Sequence, residues 1–529
     1  MDKKLILAVV LSIAVLIGFN AYFASQTEKH KPVTPVSEPP SSTQQAQKET
    51  EKPGEPLVEV QKSRETIKTT SKRTKFEGKE IEVNTDLLKV VFTTKGAKIK
   101  NWILKDYQVQ KGELIDLAGG LNIYMGGFDS CEFNPVGTVD LTKDGAKEGK
   151  ISFVFNSNDI RITKEFLFKK NKYSVDCSVR VDNTGKKEAK VDNFIVSWGP
   201  GLGTPEKLSE FEELTAYSYI DEKVKKDKTN KIKGEVANKG NISWLAMSKK
   251  FFVAAIIPQK TYASSSIITR EFIKGKEGDI PTSVASLKMP DLKIAAGSSQ
   301  ITSFTVYVGP SILENLKELK IHKVLDFGWF SGLGVLLLVI LKFFYRLVHN
   351  YGLAIILLTI LIKAILWWPT AKSMKSMKAM QKLQPQMTVL RERHKNNPQQ
   401  LNQEVLKLYK TQKVNPLGGC LPMILQIPIF YALYMLLVNA VELRGEPFYF
   451  WIKDLSVKDP YYIVPVVMGI TMFIQQKMTP TPDPSQAKIM LILPVVFTFM
   501  FINLPAGVVL YWTFQNILSI AQQFSINKQ

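Results

Sequence analysis

The stretch Tyr351-Gly-Leu-Ala-Ile-Ile-Leu-Leu-Thr-Ile-Leu-Ile-Lys-Ala-Ile-Leu-Trp-Trp368 decides how this chain is read. It is apolar except for Thr359 and Lys363 and has the length of a membrane-crossing helix. The segment after it sets the direction of the crossing. Residues 371–419 carry Lys372, Lys375, Lys378, Lys382, Arg391, Arg393, Lys395, Lys407, Lys410 and Lys413 against only Glu392 and Glu404. So basic a short loop stays on the cytoplasmic side. The chain just before residue 351 therefore lies outside, with one crossing between them, while Lys3 and Lys4 keep the N-terminus inside.

Working outward, five more apolar stretches flank this one, at 329–345, 421–440, 462–474, 489–504 and 506–520. A crossing at 329–345 would put the basic loop on the wrong side. It is expected instead as a helix on the outer surface, with Lys342 and Arg346 snorkelling to water. The loop 441–460 balances Arg444, Lys453 and Lys458 with Glu442, Glu446, Asp454 and Asp459, and is external; 476–488 is internal. Asn503-Leu-Pro-Ala-Gly507 is a tight outer turn. The expected core is five helices over 351–523, containing a cytoplasmic helical hairpin at 371–414 with a bend at Pro385. A short cytoplasmic tail follows at 524–529.

Upstream the hydrophobic period changes to two. Tyr173-Ser-Val-Asp-Cys-Ser-Val-Arg-Val181 puts Val175, Cys177, Val179 and Val181 on one face. Ile151-Ser-Phe-Val-Phe and Ile160-Arg-Ile-Thr flank a turn at Asn156-Ser-Asn-Asp159, a hairpin signal. Similar runs start at Lys89 and Ile301. Residues 76–310 are therefore expected as a large antiparallel β-sandwich outside the membrane. Residues 311–350 then hold amphipathic interfacial helices. Residues 26–75 are rich in Pro, Ser, Thr, Gln, Lys and Glu, which suits a disordered tether spanning about 40 Å. In 1–25, Lys3 and Lys4 precede an apolar run. Tyr22 and Phe23 disfavour a cleavage site, so an uncleaved anchor is preferred over a signal peptide.

Composition narrows the function. Net charge is +21 over 529 residues. Four scattered histidines and three cysteines give no metal cluster, and no Gly-x-x-x-x-Gly-Lys loop is present to hold a nucleotide. No cofactor, no metal, no small-molecule substrate and no enzymatic step are expected. A Cys131–Cys177 bridge is open in an oxidising compartment, with Cys177 as a core residue the preferred alternative.

Lys363 carries the sharpest functional signal. A lysine at that depth costs about 2.5–3.5 kcal/mol on insertion scales and lies about 10 Å of helix from the cytoplasmic end. It either snorkels or faces a water-filled cavity, with Thr359 on the same helix face. Gln426, Gln475, Gln476, Thr513, Gln515 and Asn516 fall in the same inner leaflet. Together they suggest a polar half-cavity open only to the cytoplasm, which suits neither a channel nor an alternating-access transporter. In the hairpin, Met374, Met377 and Met380 recur at helical spacing beside Lys375, Lys378, Arg391 and Arg393. They form either an internal seam or a surface for an apolar chain, acidic lipid or ribosomal RNA.

The stretch Lys413-Val-Asn-Pro-Leu-Gly-Gly-Cys420, continuing Leu-Pro-Met-Ile-Leu-Gln-Ile-Pro-Ile-Phe-Tyr-Ala-Leu-Tyr434, closely resembles the YidC/Oxa/Alb family of membrane protein insertases. So do Asp459-Pro-Tyr-Tyr-Ile-Val-Pro-Val-Val-Met-Gly469, Gln476-Lys-Met-Thr-Pro480 and Pro505-Ala-Gly-Val-Val-Leu-Tyr-Trp512. The anchor and external domain resemble the Gram-negative form of that family. This implies a sugar-mutarotase-like supersandwich outside and an inner-membrane insertase and chaperone, working alone or beside the Sec translocon. The resemblance places Lys363 where the family usually has an arginine, in a hydrophilic groove open to cytoplasm and lipid. It assigns Thr359, Gln426, Tyr511 and Trp512 to groove-lining or substrate-contacting positions. Nascent membrane proteins and the bilayer are the implied partners, with ribosome contact falling on the hairpin. The alternatives are a secondary transporter, tested by solute flux, and an anchored carbohydrate-binding protein, tested by sugar titration.

Overall fold

The computed structural model describes residues 78–528 apart from 109–111, 118, 143–144, 204–212, 261, 276–277, 413, 415–420 and 480–489. The anchor expected at 1–25 and the tether expected at 26–75 lie outside the described residues.

Alternation builds the first half. Strand Ser174–Asn183 buries Val175, Cys177, Val179 and Val181, and pairs antiparallel with Ile160–Lys169 on one side and Ser299–Pro310 on the other. The hairpin Glu148–Asn156 to Ile160–Lys169 closes with Asn156 opposite Arg161, at the turn read from the sequence. Among the described residues a 13-stranded and a 5-stranded sheet form the layers. They pack face to face through aromatic rings. Phe92 of the smaller sheet lies 5.1 Å from Phe153 and 4.8 Å from Phe166, and Trp102 meets Trp198 edge-on at 6.0 Å. The Trp102 Nε1 donates to the Val308 carbonyl at 3.0 Å, so the indole's polar edge is satisfied inside the core. Cys131 and Cys177 are both free thiols, and burial pushes the Cys177 thiol well up.

The second half is helical: α1 (Leu313–Glu318), α2 (Ser331–Val348), α3 (Tyr351–Ile365), α4 (Trp367–Lys382), α5 (Gln384–Arg393), α6 (Pro398–Thr411), α7 (Leu421–Asn439), α8 (Ile463–Met478), α9 (Leu493–Phe501) and α10 (Ala506–Lys528). Local chemistry sets the boundaries. Asn350 caps α3 by accepting from Leu353 N, and Asn397 caps α6 by accepting from Gln400 N ahead of Pro398. Pro385 falls in the first turn of α5, where the hairpin bends. Pro369 has no N–H to give the Ile365 carbonyl, and α3 ends at Ile365. The chain turns there by 63° into α4. Residues 524–528, expected as a tail, continue α10 instead.

Helix α2 is anchored from the β-domain side. Among the described residues, Gly328–Val348 is the one unbroken helix long and apolar enough to cross a membrane. Yet Lys342, in its last turns, does not snorkel: its Nζ lies 2.5 Å from Glu314 of α1 and 3.5 Å from the buried Glu442. Desolvation pushes the Glu442 carboxyl up, which the Lys342 charge opposes. The loop holding Glu442 also reaches the β-domain, where Arg444 donates to the Gln108 carbonyl at 3.0 Å and lies over Phe251 and Phe252. Three and four residues on, the Pro447 and Phe448 carbonyls accept from the Asn350 side chain. A Cβ at Gly352 would sit 2.1 Å from the Phe448 ring, so only glycine lets the loop close on α3. The start of α3 and the β-domain thus share one loop and one side of the helical core.

Candidate functional site

The polar residues of the core converge on α10. At about 100° per residue, Tyr511, Gln515, Ser519 and Gln522 fall within about 80° of its circumference. Tyr511 is buried and accepts a hydrogen bond from Gln426 Nε2 of α7 at 2.9 Å. Ser519 accepts from Lys363 Nζ of α3 at 2.8 Å, and its own hydroxyl donates to the Gln515 carbonyl. Gln522 donates to the Trp367 carbonyl and to Thr370 Oγ1 of α4. On the adjoining strip, Asn516 donates to the Met468 carbonyl and Thr471 Oγ1 of α8, and Gln523 to the Met478 carbonyl.

Lys363 is only 6% exposed and pairs with no carboxylate among the described residues. One hydroxyl is a thin shell for an ammonium with three donors. On the same helix as its Ser519 partner, Gln515, Gln522 and Gln523 each leave a buried side-chain oxygen without a hydrogen-bond partner among the described residues. The polar network along α10 is therefore not closed among those residues.

The other expected residues divide. Gln426, Tyr511, Asn516 and Lys363 meet on α10. Trp512 belongs to an aromatic cluster with Phe430 at 4.6 Å, Phe501 at 5.4 Å and Phe497 at 6.5 Å, on the apolar flank. Thr359 shares the face of Lys363 but is fully buried, its hydroxyl tied to the Ile355 carbonyl, so it lines no opening. In the hairpin Met380 is buried and Met374 and Met377 are half-buried, while Lys375 and Arg393 face outward. Lys378 and Arg391 are half-buried, and Lys378 donates to the Ile526 carbonyl. The methionines thus lean to the internal seam, and the exposed charges to the surface. Ser519, Gln522 and Gln523 were not singled out from the sequence. Ser519 lies four beyond Gln515 and three beyond Asn516, and Gln522 and Gln523 lie three and four beyond Ser519; that spacing was the available signal.

Two family profiles match the chain: 60Kd inner membrane protein over residues 343–529 and YidC periplasmic domain over residues 80–340. A membrane protein insertase YidC from Syntrophus aciditrophicus is 40% identical, with both chains covered in full. Another from Geotalea daltonii is 38% identical over all of this chain and 99% of its own. A solved structure of an active YidC insertase with its first transmembrane domain resolved is 19% identical. It covers 84% of this chain and 92% of its own, with a TM-score of 0.37.

Proposed function

The chain belongs to the YidC family of membrane protein insertases, and on that premise we propose that Lys363 is the receiving group for the polar part of an incoming client. Its clients are membrane proteins and its working medium is the bilayer. The observation that carries the reading is the buried Lys363 ammonium, which among the described residues is held by Ser519 alone, with no carboxylate to neutralise it. Such a charge is costly in lipid and is relieved by an anion brought to it. An acidic residue in a translocating loop is that anion. A carboxylate about 10 Å away gains about 1.7 kcal/mol at an effective dielectric of about 20, more than tenfold in occupancy. The unpaired oxygens of Gln515, Gln522 and Gln523 take the donors of the same loop. The aromatic flank around Trp512 then passes the hydrophobic segment to lipid. No bond is made or broken, so the work is physical rather than enzymatic.

This reading sets the β-domain outside and the basic hairpin in the cytoplasm, with five crossings from 351 to 523 and both chain ends inside. Helix α2 lies on the outer surface. The shared loop of Arg444 and Phe448 supports this, because the start of α3 and the β-domain are tied to one side. Exposed Lys375 and Arg393 suit contact with the ribosome, and the lipid-facing apolar helices suit work beside the Sec translocon.

The test is insertion of clients that differ only in the acidity of the translocated loop. Lys363→Ala is expected to slow the acidic clients about tenfold and the neutral ones little. Lys363→Arg is expected to keep function and Lys363→Glu to be worst. Equal slowing of both client types would sink the electrostatic role.

A further inference from the structure

The external domain carries a lysine-rich hairpin. Among the described residues its outer strand, Lys223–Lys228, pairs with Thr215–Ile220 alone and so ends the sheet on that side. From Thr215 to Lys233 the sequence places six lysines against three acids, Asp221, Glu222 and Asp227, a net of +3. Three are engaged: Lys226 with Asp326 at 2.6 Å, Lys228 with Glu213, and Lys225 with the Asn238 side chain. Lys223, Lys231 and Lys233 are exposed and make no ion pair among the described residues.

Lysines on an edge strand also guard against edge-to-edge pairing, and by themselves they need no ligand. The position of this edge adds a second fact. The hairpin is riveted to the segment that leads into the apolar helix beginning at Gly328. Asp326, the partner of Lys226, stands two residues before Gly328, a span of at most about 7 Å. Lys323 Nζ donates to the Tyr219 hydroxyl at 2.9 Å and lies 4.5 Å over its ring. Trp329, next on this segment, is 82% exposed, a residue type that settles at the headgroup level. Whether α2 lies on the membrane or crosses it, its first residues are at the membrane surface. The hairpin is then held beside the start of that helix.

We propose that the hairpin 215–233 docks on anionic phospholipid headgroups of the leaflet facing the β-domain, with Trp329 seated beside it. Lys223, Lys231 and Lys233 supply the attraction, while Lys226 and Lys228 hold the hairpin to the domain. The contact adds a lipid-borne hold to the Arg444 tie between the β-domain and the helical core. The attraction is worth about fivefold in occupancy per lysine near an anionic surface and is screened within about 8 Å at physiological salt.

The experiment uses the full chain in lipid nanodiscs, with the native cysteines replaced and a donor fluorophore at Asn230→Cys, an exposed turn position that is not one of the lysines. The acceptor is a headgroup-labelled lipid. Discs of phosphatidylcholine alone are compared with discs that also contain phosphatidylglycerol. Energy transfer is expected to be higher in the anionic discs and to fall to the phosphatidylcholine value in high salt. In Lys223→Gln/Lys231→Gln/Lys233→Gln the ratio of docked to undocked domain is expected to drop about a hundredfold. Equal transfer in both lipids, or an unchanged triple variant with intact circular dichroism, overturns the proposal. So does soluble polyglutamate that binds the hairpin in neutral detergent while the discs show no lipid dependence, because the partner would then be an acidic protein.

Discussion

Among the described residues two lysines are buried, one in each half, and their surroundings differ. Lys164, in the β-sandwich, is 1% exposed; its Nζ donates to the Gly96 and Ile123 carbonyls at 2.8 and 2.9 Å and sits 4.8 Å over the Phe133 ring. Lys363, in the helical core, is nearly as buried but has one hydroxyl. The first is a finished structural tie between strands, stapling two carbonyls that would otherwise lack partners. The second is unfinished, which on the function proposed above leaves it available to a client. Burial of a charge does not by itself mark a functional site; incomplete coordination does.

The comparison breaks most easily at Lys164. Lys164→Met leaves two buried carbonyls unmet, at about 1–3 kcal/mol each, so denaturant unfolding of the β-domain is expected to shift by about 2–6 kcal/mol. Insertion by the helical core is expected to change little by comparison. An unshifted midpoint would show that the Gly96 and Ile123 carbonyls need no donor.

At Lys363 the signs are expected to oppose. Lys363→Met removes the burial cost of a charge, so the core should unfold at higher temperature, by the equivalent of about 2.5–3.5 kcal/mol at most. The same variant should insert acidic-loop clients about tenfold more slowly. Lower stability together with lower activity would make Lys363 a structural tie of the same kind as Lys164.

Acidity sharpens the contrast. Burial, with help from Lys98, pushes Lys164 down from 10.5 to about 7. Between those values the unfolded chain binds more protons than the folded one. β-Domain stability should therefore rise from pH 7 to pH 9, by up to about 1.4 kcal/mol per pH unit, and level off below pH 7. Unfolding midpoints at the two pH values give the slope, which Lys164→Met should abolish. The smallest effect is expected at Ser519→Ala. Loss of its hydroxyl loosens Lys363 without discharging it, so acidic-client insertion should change by about threefold in initial-rate assays. A change as large as that of Lys363→Ala would make the hydroxyl, not the charge, the reading group.

Much of this was written in the sequence. Period two marked Val175, Cys177, Val179 and Val181, and Asn397-Pro398 marked the start of α6. The same period placed Lys164 on the face of Ile162, Phe166 and Phe168, so its burial was legible from an inward-facing lysine in an apolar row. The carbonyls that accept from it were not, because they come from residues 41 and 68 positions away. Lys363 stood out against a run of aliphatic residues. Its partner Ser519 did not, because hydropathy ended the last span near Ile520 while the helix runs on to Lys528. Thr359 shared its face with Lys363 as the spacing required. Spacing alone does not distinguish a helix face packed against another helix from one that opens on a groove.

Helix α10 also has to be built into a membrane. It carries Asn516, Ser519, Gln522 and Gln523, side chains that hydrocarbon tolerates poorly until they find partners. Those partners are Met468 and Thr471, Lys363, Trp367 and Thr370, and Met478. Every one precedes α10 in the chain, and synthesis runs from the N-terminus. When the last helix leaves the ribosome, its hydrogen-bonding template is already standing. The molecule's own biogenesis thus follows the rule proposed for its clients: a polar segment enters lipid only where polar groups are waiting for it.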